Sequence, residues 1–359
     1  DPLYVIDGVQ MRGGNNLINP NDIETLTILK DPSTTSLYGA EGGNGVIVIT
    51  TKSGKLGAPK LEYNSYASWE SPIKYPSMLT PQQYADAYFG YLKNAGISDS
   101  SVYGGGSSPV LPDYIIERQN AALFVNEGNP LANPDLYNLS NYRILKTNKS
   151  GTDWFRAIFG QAFSQNHQLS LSGATDKSNY ALTFNYFNNK GIVLGTFYKR
   201  YSLRVNTEFK PATWLKIGEN TEFAYSQGND FTNHSTNNLI SDLYERSPLI
   251  PVYDIEGNYS GPKGITDSKA FHPGGNNPVY GQINNSERNS NGFNSGVIGS
   301  AYIDVEPIKG LVFESKFGLQ FYSNSYHYYS DTFPQNVYSA PYTSFTEGSG
   351  WSSDWRWTK

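Results

Sequence analysis

The stretch Leu37–Gly54, "LYGAEGGNGVIVITTKSG", decides how the rest of the chain is read. Gly39, Gly42, Gly43 and Gly45 fall within seven residues and run straight into Val46-Ile47-Val48-Ile49. A phosphate-cradling loop needs strand, glycines and helix in that order, so that the amides of a helix N-terminus face the anion. Here the glycines precede a strand, no helical pattern follows, and no Gly-Lys-Ser or Gly-Lys-Thr occurs. The remaining reading is a tight turn whose glycines permit positive φ and close backbone approach. It feeds a strand that is apolar on both faces, and Val48 is expected to be enclosed.

The neighbouring segments complete one small unit. "PLYVIDGV" reads as a strand ended by Asp-Gly. "NPNDIETLTILKD" reads as a short helical turn capped by Asn21 or Asp22, then a strand, and "PSTTSLYG" as a further turn or short helix. Three strands and two short helices are expected before the Gly/Pro-rich link "KSGKLGAPK". The chain opens inside a strand without a signal peptide, so it is expected to be a piece of something longer.

Composition removes several classes of function. A net charge of −5 gives no basic surface for nucleic acid. The absence of Cys excludes thiolate metal sites and disulfide scaffolds. No apolar run is long enough for a membrane helix. His167, His234, His272 and His327 do not stand at metal-ligand spacing, and no Gly-x-Ser-x-Gly elbow appears. Neither a catalytic centre nor a cofactor site is expected.

From Lys60 onward the period is two. In "YSLRVNTEFK" Tyr201, Leu203, Val205 and Phe209 alternate with Ser202, Arg204, Asn206, Glu208 and Lys210. In "LVFESKFGLQF" Leu311, Phe313, Phe317, Leu319 and Phe321 oppose Glu314, Lys316, Gly318 and Gln320. "KLEYNSYASWE", "NHQLSLSGA", "YALTFNYF", "WLKIGENTEFAYS" and "GFNSGVIGSAYIDV" behave alike, although Glu219 falls on an otherwise apolar face. A soluble sandwich alternates too. The connections discriminate: "TDKSN", "PAT" and "EPIKG" are short, and long ones stand strictly between them. That sidedness belongs to a transmembrane antiparallel β-barrel with short periplasmic turns and long extracellular loops. Trp69, Tyr201, Phe209, Trp214 and Tyr225, near strand ends, suit interfacial girdles. Leu203, Val205, Phe209, Phe313, Phe317 and Leu319 are expected to face lipid. Arg204, Asn206, Glu208, Glu222, Glu314 and Lys316 are expected to face the lumen.

"PLYVIDGV" with "INPNDIETLTILKDPSTTSLYGAEGGNGVIVITTKSGK" resembles the C-terminal part of the plug domain of SusC/RagA-type TonB-dependent outer-membrane transporters. "TDWFRAIFGQAFSQNHQLSLSGATDKSNYALTFNYFNNKGIV" and "YKRYSLRVNTEFKPATWLKIG" resemble the first barrel hairpins of that family, and "NLISDLYERSPLIPVYDIEGNY" its third extracellular loop. The resemblance departs at Glu41, where the family usually carries Arg, so a plug-to-barrel ion pair from that position is not implied. It implies residues 1–57 as the C-terminal part of a plug and 58–359 as the start of a barrel. Long extracellular loops are expected at about 71–162, 227–291 and 329–352. A barrel that encloses a plug needs about 22 strands, of which seven are expected here, with "SSDWRWTK" starting an eighth. "LTPQQYADAYFGYLKN" is predicted as a helix in the first insert, with Thr80 as cap and Pro81 at its first position.

The implied function is import without catalysis: uptake of an oligosaccharide or a peptide through the bacterial outer membrane. A SusD-like lipoprotein would serve as lid and TonB would act through a segment before Asp1. Tyr253 and Tyr259 are candidate loop contacts for cargo. The alternative reading is a soluble or surface-attached glycan-binding β-sandwich; a secreted glycosidase is a third.

Overall fold

A computed structural model describes residues 2–11, 18–96, 103–104, 106–118, 121–139, 141–229, 233–234, 237–260, 277–289, 292–330 and 344–358. Strand β1 (Leu3–Ile6) turns through Asp7 and Gly8, both at positive φ, into a short β2 (Val9–Met11). The Asp-Gly pair therefore makes a hairpin and adds a strand to the expected three. A 3-10 turn (Pro20–Asp22) follows, then β3 (Ile23–Leu29), α1 (Pro32–Thr35), a second 3-10 segment (Ser36–Asn44) and β4 (Val46–Thr51). The cap of the first turn is Asn19, whose side chain accepts from the Asn21 amide, and not Asn21 or Asp22. The sheet order is β2-β1-β4-β3, with β4 parallel to β1 and antiparallel to β3. This central position explains the unbroken apolar run of β4. Its enclosed residues are Val46 and Ile49, at 0% and 5% exposure; Val48, expected to be enclosed, is half-buried.

The expected link does not hang free. Gly54 donates to Asn179 Oδ1 at 2.7 Å and accepts from Asn179 Nδ2 at 3.1 Å. A Cβ at Gly54 would lie 2.1 Å from the Gly173 carbonyl oxygen, so only glycine fits there. Strand β5 (Gly57–Glu70) begins directly beyond.

The insert after β5 is folded. Helix α2 (Pro81–Asn94) carries the predicted start, with Thr80 and Gln83 capping each other reciprocally. Strands β6 (Tyr114–Arg118), β7 (Ala121–Val125) and β8 (Tyr142–Lys146) form a small sheet, and α3 (Trp154–Ile158) ends the insert. Strands β9 (Ala162–Ala174), β10 (Ser178–Lys190), β11 (Phe197–Ala212) and β12 (Leu215–Asn229) then run as antiparallel neighbours. The second insert holds the ladder of β13 (Asn233–His234) with β14 (Asn237–Asn238), then α4 (Leu239–Glu245) and α5 (Pro278–Asn289). Strands β15 (Phe293–Ile308), β16 (Leu311–Ser330) and β17 (Ser344–Thr358) complete the wall.

The wall is one eight-stranded sheet of order β17-β16-β15-β12-β11-β10-β9-β5, an incomplete barrel with two open edges. Its eighth strand, β17, contains all but the last residue of the "SSDWRWTK" stretch expected to start one and begins earlier, at Ser344. The strands are also longer than their apolar patterns: β10 and β11 leave only 191–196 between them, and β16 and β17 cover much of 329–352. Residues 331–343 of that loop, 261–276 with His272, and the side chains of His234 and His327 lie outside the described residues.

Burial runs opposite to a soluble protein. On β11 Ser202, Arg204 and Asn206 are 3%, 4% and 5% exposed, whereas Leu203 and Phe209 are 40% and 53% exposed. Phe313, Phe317 and Leu319 are exposed and Val205 is half-buried. A glycan-binding sandwich would bury these apolar faces against a second sheet; here the polar face is covered, by the plug. Glu219 on the outward face is held by its neighbours: Thr207 Oγ1 and Thr221 Oγ1 donate to it at 3.1 and 2.7 Å.

The two inserts share a core. Ile115 and Leu145 of the small sheet and Trp154 of α3 pack with Leu243, Leu249 and Val279 of the second insert. Trp154 Nε1 donates to the Ser247 carbonyl at 3.1 Å, and the Asn148 amide to that of Leu249 at 2.8 Å. What the sequence presented as two loops is one packed cap.

Candidate functional site

Polar side chains of β11 and β12 reach the plug through a single connected cluster. Arg204 donates to Glu222 Oε2 at 2.9 Å, to Asp7 Oδ2 at 2.6 Å and to Thr51 Oγ1 at 2.7 Å. Arg200 donates to Glu222 Oε1 at 2.9 Å and to the Ile18 carbonyl at 3.2 Å. Glu222 also accepts from the Asn19 amide at 3.2 Å. Asn206 donates to Thr51 Oγ1 at 3.1 Å and to the Lys52 carbonyl at 2.7 Å. Each bond made by an ionised partner is of the stronger, charge-assisted kind.

The fold places these groups by register. Arg204 and Glu222 stand directly opposite on β11 and β12, so their side chains share the inward face. Asp7 comes from the β1–β2 turn, and its carboxylate is fixed by the Thr51 amide and hydroxyl at 2.9 and 2.8 Å. Asp22 accepts from Gln168 of β9 at 3.3 Å. Burial pushes the Asp22 carboxyl up from its ordinary value, while Arg204, Lys52 and Arg200 pull it down.

Shape supplements charge. Val9 packs with Ile6, Met11 and Ile49 of the plug against Ala224 and Ile298 of the wall. Gly318 of β16 lies beneath it, where a Cβ would stand 2.2 Å from Val9 Cγ1. Lys316 donates to the Asp7 carbonyl at 3.1 Å.

Of the residues expected in the lumen, Arg204, Asn206, Glu222 and Lys316 therefore meet the plug. Glu208 instead accepts from Tyr302 Oη at 2.7 Å, and Glu314 is exposed. The glycines differ among themselves. Gly39 and Gly45 have φ of 66° and 95°. Gly42 lacks positive φ but would bring a Cβ to 2.6 Å from the Thr35 carbonyl, and Gly43 has nothing within 4 Å. Tyr253 and Tyr259 pair in the cap with ring centroids 5.1 Å apart, and Tyr253 is the exposed one. Sequence reasoning missed Asp7, Asn19, Asp22, Thr51, Arg200 and Gln168. Asp7 carried the one available signal, an Asp-Gly turn. Among the described residues no three or more His, Cys, Asp or Glu side chains gather as a metal site.

Residues 1–46 match the family described as the TonB-dependent Receptor Plug Domain. The chain is 29% identical over 297 residues to the TonB-dependent receptor SusC of Bacteroides thetaiotaomicron, with 79% of this chain and 24% of that protein covered. In sequence the chain resembles TonB-dependent receptors of the SusC type over most of its length. "TonB-dependent receptor P26" of Formosa agariphila is also 29% identical, over 89% of this chain and 28% of its own length. The chain spans about a quarter of the length of the curated relatives it matches. In fold it is similar to a chain of the RagAB peptide importer in its "open-open" state, with a TM-score of 0.73 and 21% identity, covering 99% of this chain and 38% of that one.

Proposed function

We propose that the chain forms part of the gate and wall of a TonB-dependent importer in the bacterial outer membrane. Residues 1–57 are the plug portion and 58–359 the beginning of the barrel. The observation that carries this is Arg204, which ties plug to wall on the covered face of a sheet whose other face is apolar and bare. Lipid is the solvent that suits that bare face.

A polar seat suits a gate for a physical reason. Ionic groups lose hydration on burial, so a buried pair contributes little net stability against an open state in which both partners regain water. A plug held mainly by such groups fixes its geometry tightly yet separates from a wetted wall at modest cost. TonB, pulling on a segment before residue 1, would supply the force. In this reading a SusD-like lipoprotein closes over the cap, and the cargo is an oligosaccharide or a peptide. The RagAB likeness favours the peptide class, and growth on a panel of both decides it. The cap surface, with Tyr253 exposed on it, is where lid and cargo would be met, since loops on a rigid scaffold commonly carry binding.

Val9→Cys/Gly318→Cys tests the gate directly, because the chain has no Cys of its own. Oxidation should fasten β2 to β16 and stop cargo uptake by the full-length receptor while leaving surface binding intact; reduction should restore uptake. Wild-type uptake by the oxidised protein would refute the gate.

A further inference from the structure

The outward face of the wall carries a continuous aromatic row. Tyr63, His167, Tyr186, Tyr201, Tyr225 and Phe293 follow one another across β5, β9, β10, β11, β12 and β15, with neighbouring ring centroids 6.2, 6.1, 5.0, 6.4 and 5.5 Å apart. Such a row marks the level of a bilayer interface. It lies toward the 191–196 connection, the end that the short turns avoid.

Two hollows flank this row. Beyond it, toward the long connections, is a cavity of about 520 Å³ whose lining includes Arg156, Lys190, Lys199 and Phe197. Below it is an apolar groove of about 350 Å³ between Phe184, Leu203, Phe223, Val297 and Phe321. One strand threads both. Lys199, Tyr201 and Leu203 are successive outward residues of β11, spaced about 7 Å apart. Lys190 stands beside Phe197 in register, and Lys199 beside Asn188, all on that face. Arg156 pairs with Asp153 at 3.0 Å, and Lys199 lies over the Phe197 ring at 5.6 Å. Among the described residues no carboxylate lies within ion-pair distance of Lys190 or Lys199.

Cations above an aromatic belt, with an acyl-sized trough beneath them, have the order of parts of a phosphate-bearing lipid. We propose that this column binds one phosphorylated glycolipid of the outer leaflet, its phosphate between Lys190, Lys199 and Arg156 and an acyl chain in the Leu203–Phe223 groove. The inference rests on the outer-membrane reading above. A soluble anion would need the cavity alone; the groove selects an occupant with a tail, and the groove continues the lipid-facing surface.

Delipidated full-length receptor in detergent, titrated with bisphosphorylated lipid A and followed by native mass spectrometry, tests this. The wild type should hold one lipid A, and Lys190→Gln/Lys199→Gln should bind it about tenfold more weakly, the scale of a lost charge-assisted contact. Dephosphorylated lipid A should bind weakly and equally to both. Excess inorganic phosphate should not displace lipid A from the wild type; displacement would reduce the site to a simple anion site and overturn the proposal. Equal lipid A affinity in the two proteins would overturn it as well. Vesicle insertion, read by heat-modifiable migration, separates the two claims. An inserted receptor whose lipid binding ignores the lysines defeats only the lipid site. A receptor that does not insert defeats the outer-membrane reading with it.

Discussion

Two clusters that bury arginine against carboxylate, one between wall and plug and one in the cap, are built differently. Between wall and plug, Glu222 uses both oxygens, to Arg200 and Arg204 at 2.9 Å each, and Arg204 continues to Asp7 at 2.6 Å. In the cap, Arg143 stands 3.6 Å from Glu117 and 3.9 Å from Asp254, and neither Glu117 oxygen has a hydrogen-bond partner. Asp254 is served instead by Tyr137 Oη at 2.6 Å, and Arg143 donates to the Tyr259 carbonyl at 2.9 Å. The first cluster joins two parts of the protein that, in the gate reading proposed above, come apart. The cap cluster lies inside a single packed unit, where apolar neighbours do the holding. Geometry is tight where polar groups span the seat between plug and wall, and loose where Ile115, Leu145 and Trp154 already define the packing.

The contrast breaks most visibly at Glu222. Glu222→Gln keeps the shape and removes the charge, leaving Arg200 and Arg204 close together with less compensation. Losing one partner of a buried cluster costs about 3–5 kcal/mol. Amide exchange in β4 should accelerate in the full-length receptor, and small antibiotics should leak through the lumen. Unchanged β4 protection would show that the seat is held by Val9 and its apolar neighbours alone.

Glu117 comes next, and its effect has a sign set by pH. Burial pushes the Glu117 carboxyl up to about 8 from an ordinary 4.5, against the pull of Arg143 and with the push of Asp254. Between those values the unfolded cap is ionised and the folded cap keeps the proton. Cap stability is therefore greatest below about 4.5, falls as pH rises, and levels off above about 8. The total is on the order of a few kcal/mol. Glu117→Gln should flatten the pH dependence and make the cap more stable than wild type at pH 8. Exchange rates of the Ile115 and Ile144 amides at several pH values measure both. A variant as pH-sensitive as the parent would place the titration elsewhere.

Gly318 sharpens the shape side of the seat. Gly318→Ala puts a Cβ into Val9 and should cost about 1–3 kcal/mol by overpacking. Val9→Ala in the same protein should recover most of that loss, as plug exchange would show. Failure of the second change to rescue would mean that β16 does not carry the plug.

Much of this was legible, and the part that was not shares one cause. Period-two runs, strict alternation of short and long connections, and the Thr80–Pro81 helix start are local signals, and each appears where its residues imply. Pairings across the seat are not local. Asp7 meets Arg204 and Asn19 meets Glu222 through about 200 intervening residues, and no spacing announces them. The joint core of the inserts escaped for the same reason: Trp154 and Leu249 read as loop residues until the other insert lies against them.

The smallest effects belong to the turn that opens the sequence, and they separate two causes that glycine counts merge. At Gly45, with φ of 95° and the Leu29 carbonyl 3.3 Å from where a Cβ would stand, Ala meets backbone strain of about 1–2 kcal/mol. Gly39→Ala should cost a similar amount from its φ of 66° alone, since its Cβ would meet nothing within 4 Å. Gly42→Ala should be harmful for a different reason, contact with the Thr35 carbonyl at 2.6 Å. Gly43→Ala meets neither obstacle, and restricting the unfolded chain should leave it neutral or stabilising by about 0.4–1 kcal/mol. Plug exchange rates should therefore rank Gly39, Gly42 and Gly45 variants above wild type, with the Gly43 variant at or below it. A phosphate loop would make a different division, with nucleotide affinity present in the wild type and lost in all four. Equal stability across the four Ala variants would mean that the turn is free to rearrange, and that β4 is seated by its neighbours in the sheet rather than by the chain that delivers it.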